Sequence, residues 1–213
     1  MITVADRRQS KGAAALADAL RVHPVIASVR DEDRLPEAIA SRCRAIFLLS
    51  TSIQRLAAVG DAVAAAGKLL FIHLDFIGGL GRDEEALEYL AETARPLGLI
   101  TTRTGLVQAA RRLGLTPLQR LFLLDSQSLA TGIEAARSSR AEVVEVLPGI
   151  IPRAVGAIRA QLPHTLIIAG GLVRTPEEVA QALRAGASGV STSSAALWHL
   201  DPAAFEGPFR SDP

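Results

Sequence analysis

A chain of 213 residues, 49% hydrophobic but only 4% aromatic, can bury a sizeable core made of Val, Ile, Leu and Ala. A formal net charge of +1 and a pI near 8.0 exclude a globally basic nucleic-acid-binding domain, so any nucleic-acid contact must come from a local patch. The single cysteine, Cys43, excludes a disulfide framework, and no apolar run reaches the roughly 18 residues of a membrane span.

In chain order, Asp6, Arg7, Arg8 and Lys11 precede Gly12–Leu20, which Asp18 interrupts. This predicts an amphipathic helix rather than an export signal, and a cytoplasmic location is expected. Eight short apolar runs follow: Pro24–Val29, Ala45–Ser50, Lys68–Asp75, Gly98–Thr102, Gln119–Asp125, Glu142–Leu147, Thr165–Ala169 and Ala187–Ser191. Several are nearly continuous in Val, Ile, Leu and Phe, the pattern of parallel strands buried on both faces.

Between these runs the apolar period changes to 3.6 residues, most clearly in Ala62–Ala66, Glu84–Leu90, Leu106–Leu113 and Val179–Leu183. Helix starts are expected at Asp83, Thr104 and Thr175-Pro176-Glu177-Glu178, and helix ends at Gly67, Gly114 and Gly186. Strand–helix alternation gives a parallel sheet. A closed barrel is preferred to an open doubly wound sheet for two reasons. No Gly-x-Gly-x-x-Gly follows the first strand, and polar residues close nearly every strand, namely Arg30, Asp75, Arg103, Asp125, Gly170-Gly171 and Ser191. The expected fold is a single (β/α)₈ TIM barrel of the phosphate-binding type over residues 1–200, including the N-terminal helix. The tail, residues 201–213, is rich in Pro, Gly and Phe and is expected to lie over the barrel base or to be partly disordered.

The clearest chemical signal is Gly170-Gly171 after the seventh strand together with Ser191-Thr192-Ser193 after the eighth. Paired glycines let a backbone approach a ligand closely. A Ser/Thr run opening a short helix, Ser194–Leu200, offers N–H groups to an anion. Barrels often bind phosphate at this pair of loops, whereas the plainer reading is a tight turn and an ordinary cap.

A second constellation is the inward ring. Alternation places His73 and Asp75 on one face of the third strand, and Arg30, Arg103, Asp125 and Glu145 are expected to point into the mouth. There the arginines suit phosphate, and the carboxylates suit hydroxyls or neighbouring arginines. Gly78-Gly79-Leu80-Gly81-Arg82-Asp83 reads as a hinge-like loop, with a lid as the alternative. His23, His73, His164 and His199 lack metal-ligand spacing, so no metal and no cofactor are expected. Lys11 and Lys68 are the only lysines, and Lys68 starts a strand at the wrong end for a Schiff-base aldolase.

These strings have a collective likeness. Val29-Arg30, Phe71-Ile72-His73-Leu74-Asp75, Gly79-Leu80-Gly81-Arg82-Asp83, Thr101-Thr102-Arg103, Phe122-Leu123-Leu124-Asp125-Ser126, Glu145-Val146-Leu147-Pro148-Gly149-Ile150, Ala169-Gly170-Gly171-Leu172 and Val190-Ser191-Thr192-Ser193 run in order. They closely resemble the glycerol uptake operon antiterminator family, glycerol-3-phosphate-responsive mRNA-binding regulators of bacteria, from about His23 to Trp198. Gly78-Gly79 departs from the acidic residue expected ahead of the Gly-Leu-Gly-Arg-Asp string.

The resemblance implies a non-catalytic barrel that senses glycerol 3-phosphate and acts on the leader mRNA of glycerol-utilisation genes to prevent transcription termination. Gly170, Gly171, Ser191, Thr192 and Ser193 would then hold the phosphate. His73, Asp75, Arg103, Asp125 and Glu145 would line the glycerol side. For RNA, Arg111, Arg112, Arg120, Arg137, Arg140 and Arg153 form the candidate patch, against the plainer reading of a solvated face. A homodimer is a further expectation, as it would double a weak basic surface. The competing functional reading is an enzyme acting on a glycerol phosphate or triose phosphate, with Asp75 and Asp125 as acid and base.

Overall fold

Eight parallel strands close on themselves in sequence order. A computed structural model describes residues 10–205. The strands are β1 (Val25–Val29), β2 (Ala45–Leu48), β3 (Leu69–His73), β4 (Gly98–Thr101), β5 (Thr116–Phe122), β6 (Val143–Leu147), β7 (Leu166–Gly170) and β8 (Gly189–Thr192). Each pairs with its sequence neighbour, and β8 meets β1 with Val190 opposite Val25. Helix α1 (Lys11–Val22) precedes β1. The crossover helices are α2 (Leu35–Ala40), α3 (Leu56–Ala65), α4 (Glu84–Thr93), α5 (Thr104–Arg112), α6 (Ser126–Ser138), α7 (Pro152–Gln161) and α8 (Pro176–Arg184). The four-residue α9 (Ala195–Trp198) follows β8. This is the (β/α)₈ barrel that the alternating runs predict. Among the described residues no helix is long and apolar enough to cross a membrane.

Side-chain alternation divides the barrel into an outer and an inner core. Val25, Ala27 and Val29 of β1 pack outward with the helices, whereas Ile26 packs inward. The lower interior is apolar: Ile26, Phe47, Phe71, Ile100, Leu118 and Ile168 cluster with Ala13, Leu16 and Leu20 of α1. Helix α1 therefore plugs the N-terminal end of the barrel. Ser10 holds its start, accepting the Ala13 N–H on its hydroxyl and donating its own N–H to Glu142 Oε2 at 2.7 Å. Two residues further along the strands the interior turns polar, with Ser28, His73, Arg120, Glu145 and Ser191 all buried.

Several boundaries differ from the sequence expectation. Strand β5 starts at Thr116, three residues before Gln119. Arg103, not Thr104, is the N-cap of α5, and its side chain makes no capping bond. Strand β3 stops at His73, and Leu74–Phe76 form a 3₁₀ turn because the chain must leave the barrel there. The helix expected over Ser194–Leu200 is confined to α9. Asp83 and Thr175 do cap α4 and α8, the latter with a full capping box to Glu178. Gly67, Gly114 and Gly186 stand in the left-handed region after α3, α5 and α8. Thr51–Ser52 pairs with Ile77–Gly78 in a two-residue parallel bridge, which ties the start of the glycine-rich loop to the loop after β2. Of the C-terminal tail, Pro202–Phe205 form a 3₁₀ turn whose buried Phe205 ring meets His23 at the barrel base. Residues 206–213, and the charges at Asp6, Arg7 and Arg8, lie outside the described residues.

Leu16 is fully buried in the inner cluster. Leu16→Ala is expected to destabilise the protein by about 3 kcal/mol, as cavity-forming core truncations do. Urea unfolding followed by circular dichroism checks this. A cost below about 1 kcal/mol would mean that α1 does not plug the barrel.

Candidate functional site

The C-terminal mouth of the barrel opens into a cavity of about 770 Å³, within the usual ~300–1,000 Å³ of small-molecule sites. Its floor is a buried ion pair. Arg120 Nε donates to Glu145 Oε2 at 2.7 Å, and both side chains are more than nine-tenths buried. Ser191 Oγ donates to the other carboxylate oxygen, Oε1, at 2.5 Å. Neighbouring strands dictate this arrangement: Arg120 pairs in register with Glu145, and Ser191 with Gly170. Gly170 is glycine because a Cβ there would stand 2.5 Å from Ser191 Oγ and 2.6 Å from Glu145 Oε1. The second residue of the glycine pair has a different reason, since Gly171 turns out of β7 at φ +77°.

Two loops form one wall. Gly171–Arg174 follows β7, Ser193–Ser194 follows β8, and all of these residues line the cavity. Thr192 braces the loops together: its hydroxyl donates to the Val173 carbonyl at 2.7 Å and accepts the Ser194 N–H at 3.0 Å. The fully buried Trp198 fixes Thr192 in turn, with Nε1 donating to its carbonyl at 2.8 Å. The N–H groups of Leu172, Val173 and Ser193 have no backbone partner among the described residues. Arg30 and Arg174 line the same cavity, exposed and without an ion-pair partner among the described residues. The wall thus offers backbone donors beside two free guanidinium groups, which suits an anion.

His73, Asp75 and Arg103 make a separate corner. His73 Nδ1 lies 3.7 Å from Asp75 Oδ2, and neither atom has a hydrogen-bond partner among the described residues. Arg103 Nε lies 3.3 Å from Asp75 Oδ1 at the solvent edge. Burial, and then the charge of Arg120, push the His73 imidazole down to about 3, so the ring is neutral at physiological pH. The Phe76 ring covers it at 4.6 Å, so Phe76 and not His73 faces the cavity.

The expected site residues therefore divide. Arg30, Glu145, Gly171, Ser191, Thr192 and Ser193 line one cavity, with Gly170 packed under it against Glu145 and Ser191. His73 stands behind Phe76, and Asp75 and Arg103 form an ion pair outside the cavity lining. Asp125 is not brought into the cavity. Its exposed carboxylate caps α6, accepting the Ser128 N–H at 2.7 Å while Ser128 Oγ accepts the Asp125 N–H at 2.9 Å. The bond from the Ser128 backbone, first among these contacts, holds that carboxyl below its ordinary value. Arg120 is also corrected: it lies inside the barrel and belongs to no surface patch. Sequence reading missed Arg120 and Arg174 as site residues. Counting inward positions back from Phe122 in steps of two would have found the first. A cation directly after Gly171-Leu172-Val173 would have flagged the second.

A family model described as glycerol-3-phosphate responsive antiterminator matches residues 25–198. The chain is 34% identical over 181 residues to the uncharacterized protein YgcP of Escherichia coli K12, covering 85% of this chain and 94% of that one. Among solved structures, the glycerol uptake operon antiterminator regulatory protein of Listeria monocytogenes superposes with a TM-score of 0.78 at 31% identity, over 83% of this chain and 95% of that one. A glycerol uptake operon antiterminator-related protein of Thermotoga maritima gives 0.73 at 34% identity, over 82% and 96%. The deoxyribose phosphate aldolase of Aeropyrum pernix, at 16% identity and 0.64, shares the barrel fold alone.

Two outcomes test the floor. Glu145→Ala leaves Arg120 buried without a counter-charge and is expected to cost about 3–5 kcal/mol, whereas the double change Arg120→Met with Glu145→Leu recovers most of that loss. Denaturant midpoints of the three proteins decide between them. His73 has its folded value, about 3, below the ordinary 6.5, so the unfolded chain takes up the proton first on acidification. The stability it contributes is complete above about pH 6.5 and is lost toward pH 3, at no more than about 1.4 kcal/mol per pH unit. His73→Gln is expected to remove this part of the acid slope, and a slope unchanged by that substitution would mean the imidazole is not its source.

Proposed function

The chain belongs to the glycerol-3-phosphate responsive antiterminator family, and from that premise we propose that it is a cytoplasmic regulator whose barrel mouth binds glycerol 3-phosphate and whose liganded form acts on the leader mRNA of glycerol-utilisation genes to prevent transcription termination. The observation that carries this reading is the polarity of the cavity from floor to wall. The floor offers a guanidinium donor and a carboxylate acceptor side by side, the complement of adjacent hydroxyls. The wall offers backbone N–H groups, the Ser193 hydroxyl and the guanidinium groups of Arg30 and Arg174, the complement of a phosphate with nearly two negative charges. A glycerol phosphate fits with its hydroxyls down on Glu145 and Arg120 and its phosphate up between the loops after β7 and β8. Thr192 supports this phosphate position as a brace rather than as a direct ligand, because its hydroxyl already has two partners.

The enzyme reading has less to stand on. A general base needs a free lone pair aimed at substrate. Glu145 is ion-paired with Arg120, Asp125 caps a helix, and Asp75 is ion-paired with Arg103 outside the cavity lining. Lys68 donates to the carbonyls of Ala38, Ser41 and Cys43, and Lys11 opens the helix that plugs the base, so neither lysine lies at the mouth.

Calorimetric titration with sn-glycerol 3-phosphate, against glycerol and inorganic phosphate, tests the ligand. One-site binding much tighter than phosphate is expected, lost in Gly171→Asp and weakened more than tenfold in Arg174→Ala. Binding no tighter than phosphate would remove the ligand assignment. For the regulatory step, retention of the leader transcript is expected to rise about tenfold with saturating ligand, equivalent to about 1.4 kcal/mol of preference for the RNA-competent form. Equal retention with and without ligand would remove the gating.

A further inference from the structure

Of nine large hydrophobic residues left exposed among the described residues, six stand at or just beyond the C-terminal ends of strands. Phe76, Phe122 and Leu172 line the cavity and are 56%, 52% and 61% exposed. Leu124, 88% exposed, and the pair Ile150-Ile151 stand on the neighbouring loops after β5 and β6. Solvent-facing apolar residues are ordinary when scattered, but a set gathered at one end of a barrel marks a contact surface. Between them stand three exposed arginines, Arg30, Arg153 and Arg174, which make no ion pair with a described residue. The carboxylates of the neighbouring loops are engaged elsewhere, Asp83 on the Ala86 N–H, Asp125 on the Ser128 N–H, Asp75 with Arg103 and Glu32 with Arg55. The arginines of the outer helices differ: Arg112 is paired with Glu84, and Arg137 with Glu134.

Flat apolar rings set among unpaired guanidinium groups suit a polyanion with stackable faces, which is single-stranded nucleic acid. A second copy of this chain suits the surface less well. A two-fold contact places the same patch on both sides, so the arginines of one copy would face those of the other without acids between them. We propose that the rim of the barrel mouth, including Arg153 in the first turn of α7, and not the paired arginines further along the outer helices, is the surface on which single-stranded leader RNA docks. This rests on the regulatory reading above and adds the place of contact. RNA on the rim lies over the cavity, so bound RNA blocks the exit of the ligand. Coupling between two sites is reciprocal, so whatever factor the ligand adds to RNA affinity, RNA adds to ligand affinity.

The test measures the full-length chain with the leader transcript in saturating sn-glycerol 3-phosphate. Leu124→Glu combined with Arg153→Glu is expected to weaken RNA binding at least tenfold while leaving glycerol 3-phosphate binding by calorimetry unchanged, since neither residue lines the cavity. Arg112→Glu combined with Arg137→Glu is expected to bind RNA as the parent does. In a pulse-chase with radiolabelled sn-glycerol 3-phosphate, added RNA is expected to slow ligand release at least fivefold. RNA binding retained by the rim variant, or lost in the outer-helix variant, or ligand release unaffected by RNA, would overturn the placement while leaving the regulatory reading intact. A parent protein that binds ligand but no RNA removes the regulatory reading itself. A dimer in sedimentation that the rim variant dissolves assigns the surface to a second copy and overturns the proposal.

Discussion

The ion pair between Arg120 and Glu145 sets the character of the whole barrel mouth. Two charges taken out of water are costly, and an apolar pair of similar volume would stabilise a fold as well or better. The pair is tolerable because β5 and β6 place the two residues in register and because Ser191 occupies the second carboxylate oxygen. Everything near it is adjusted to it. Gly170 has no side chain because Glu145 and Ser191 fill that space. His73 stays neutral because burial and the Arg120 charge both disfavour a second cation. Below the pair, Ile26, Phe47, Phe71 and Leu118 keep the interior dry, and α1 closes it. The barrel therefore has an apolar lower half that holds it together and a polar upper half that opens into the cavity.

The wall of the cavity depends on a different set of contacts. Thr192, held by Trp198, joins the loop after β7 to the loop after β8. Neither loop has regular structure of its own, so without this brace their N–H groups would not share one wall. That division of labour explains why the Ser191-Thr192-Ser193 run is polar throughout although its hydroxyls face different ways. Ser191 points down to the floor, Thr192 points sideways to the brace, and Ser193 alone is exposed beside the cavity.

Much of this was legible in the sequence, and the failures have physical causes. Strand ends and helix caps were readable because buried parallel strands are nearly continuous in branched apolar residues and because Thr175 and Glu178 form a reciprocal cap. Arg120 was not, because the apolar pattern of β5 is interrupted by Thr116, Pro117 and Gln119, which hid the true start of the strand and so the inward register. Asp125 misled in the opposite direction. A carboxylate at a strand end reads equally as a mouth residue or as an N-cap, and the nearby Ser128 N–H and hydroxyl decided the matter for the cap. Asp75 came close to His73 for a reason that strand alternation does not supply, since a 3₁₀ turn and not a strand carries it there.

A near-neutral chain can still carry a concentrated charge field when its acids are engaged and its bases are not. The net charge of +1 averages 23 basic against 22 acidic residues and says nothing of where each is satisfied. On the outer helices the two signs meet, as in Arg112 with Glu84. Around the mouth Asp75 meets Arg103 and Glu32 meets Arg55, and Asp83 and Asp125 hold helix N-termini, while Arg30 and Arg174 make no ion pair with a described residue. The floor adds no net charge, because Glu145 cancels Arg120. The unpaired positive charge is therefore concentrated at the wall and rim, and the floor offers hydrogen-bonding groups of both kinds. A ligand anionic at one end and hydroxylated at the other satisfies both levels at once, whereas phosphate alone meets the first and glycerol alone meets the second.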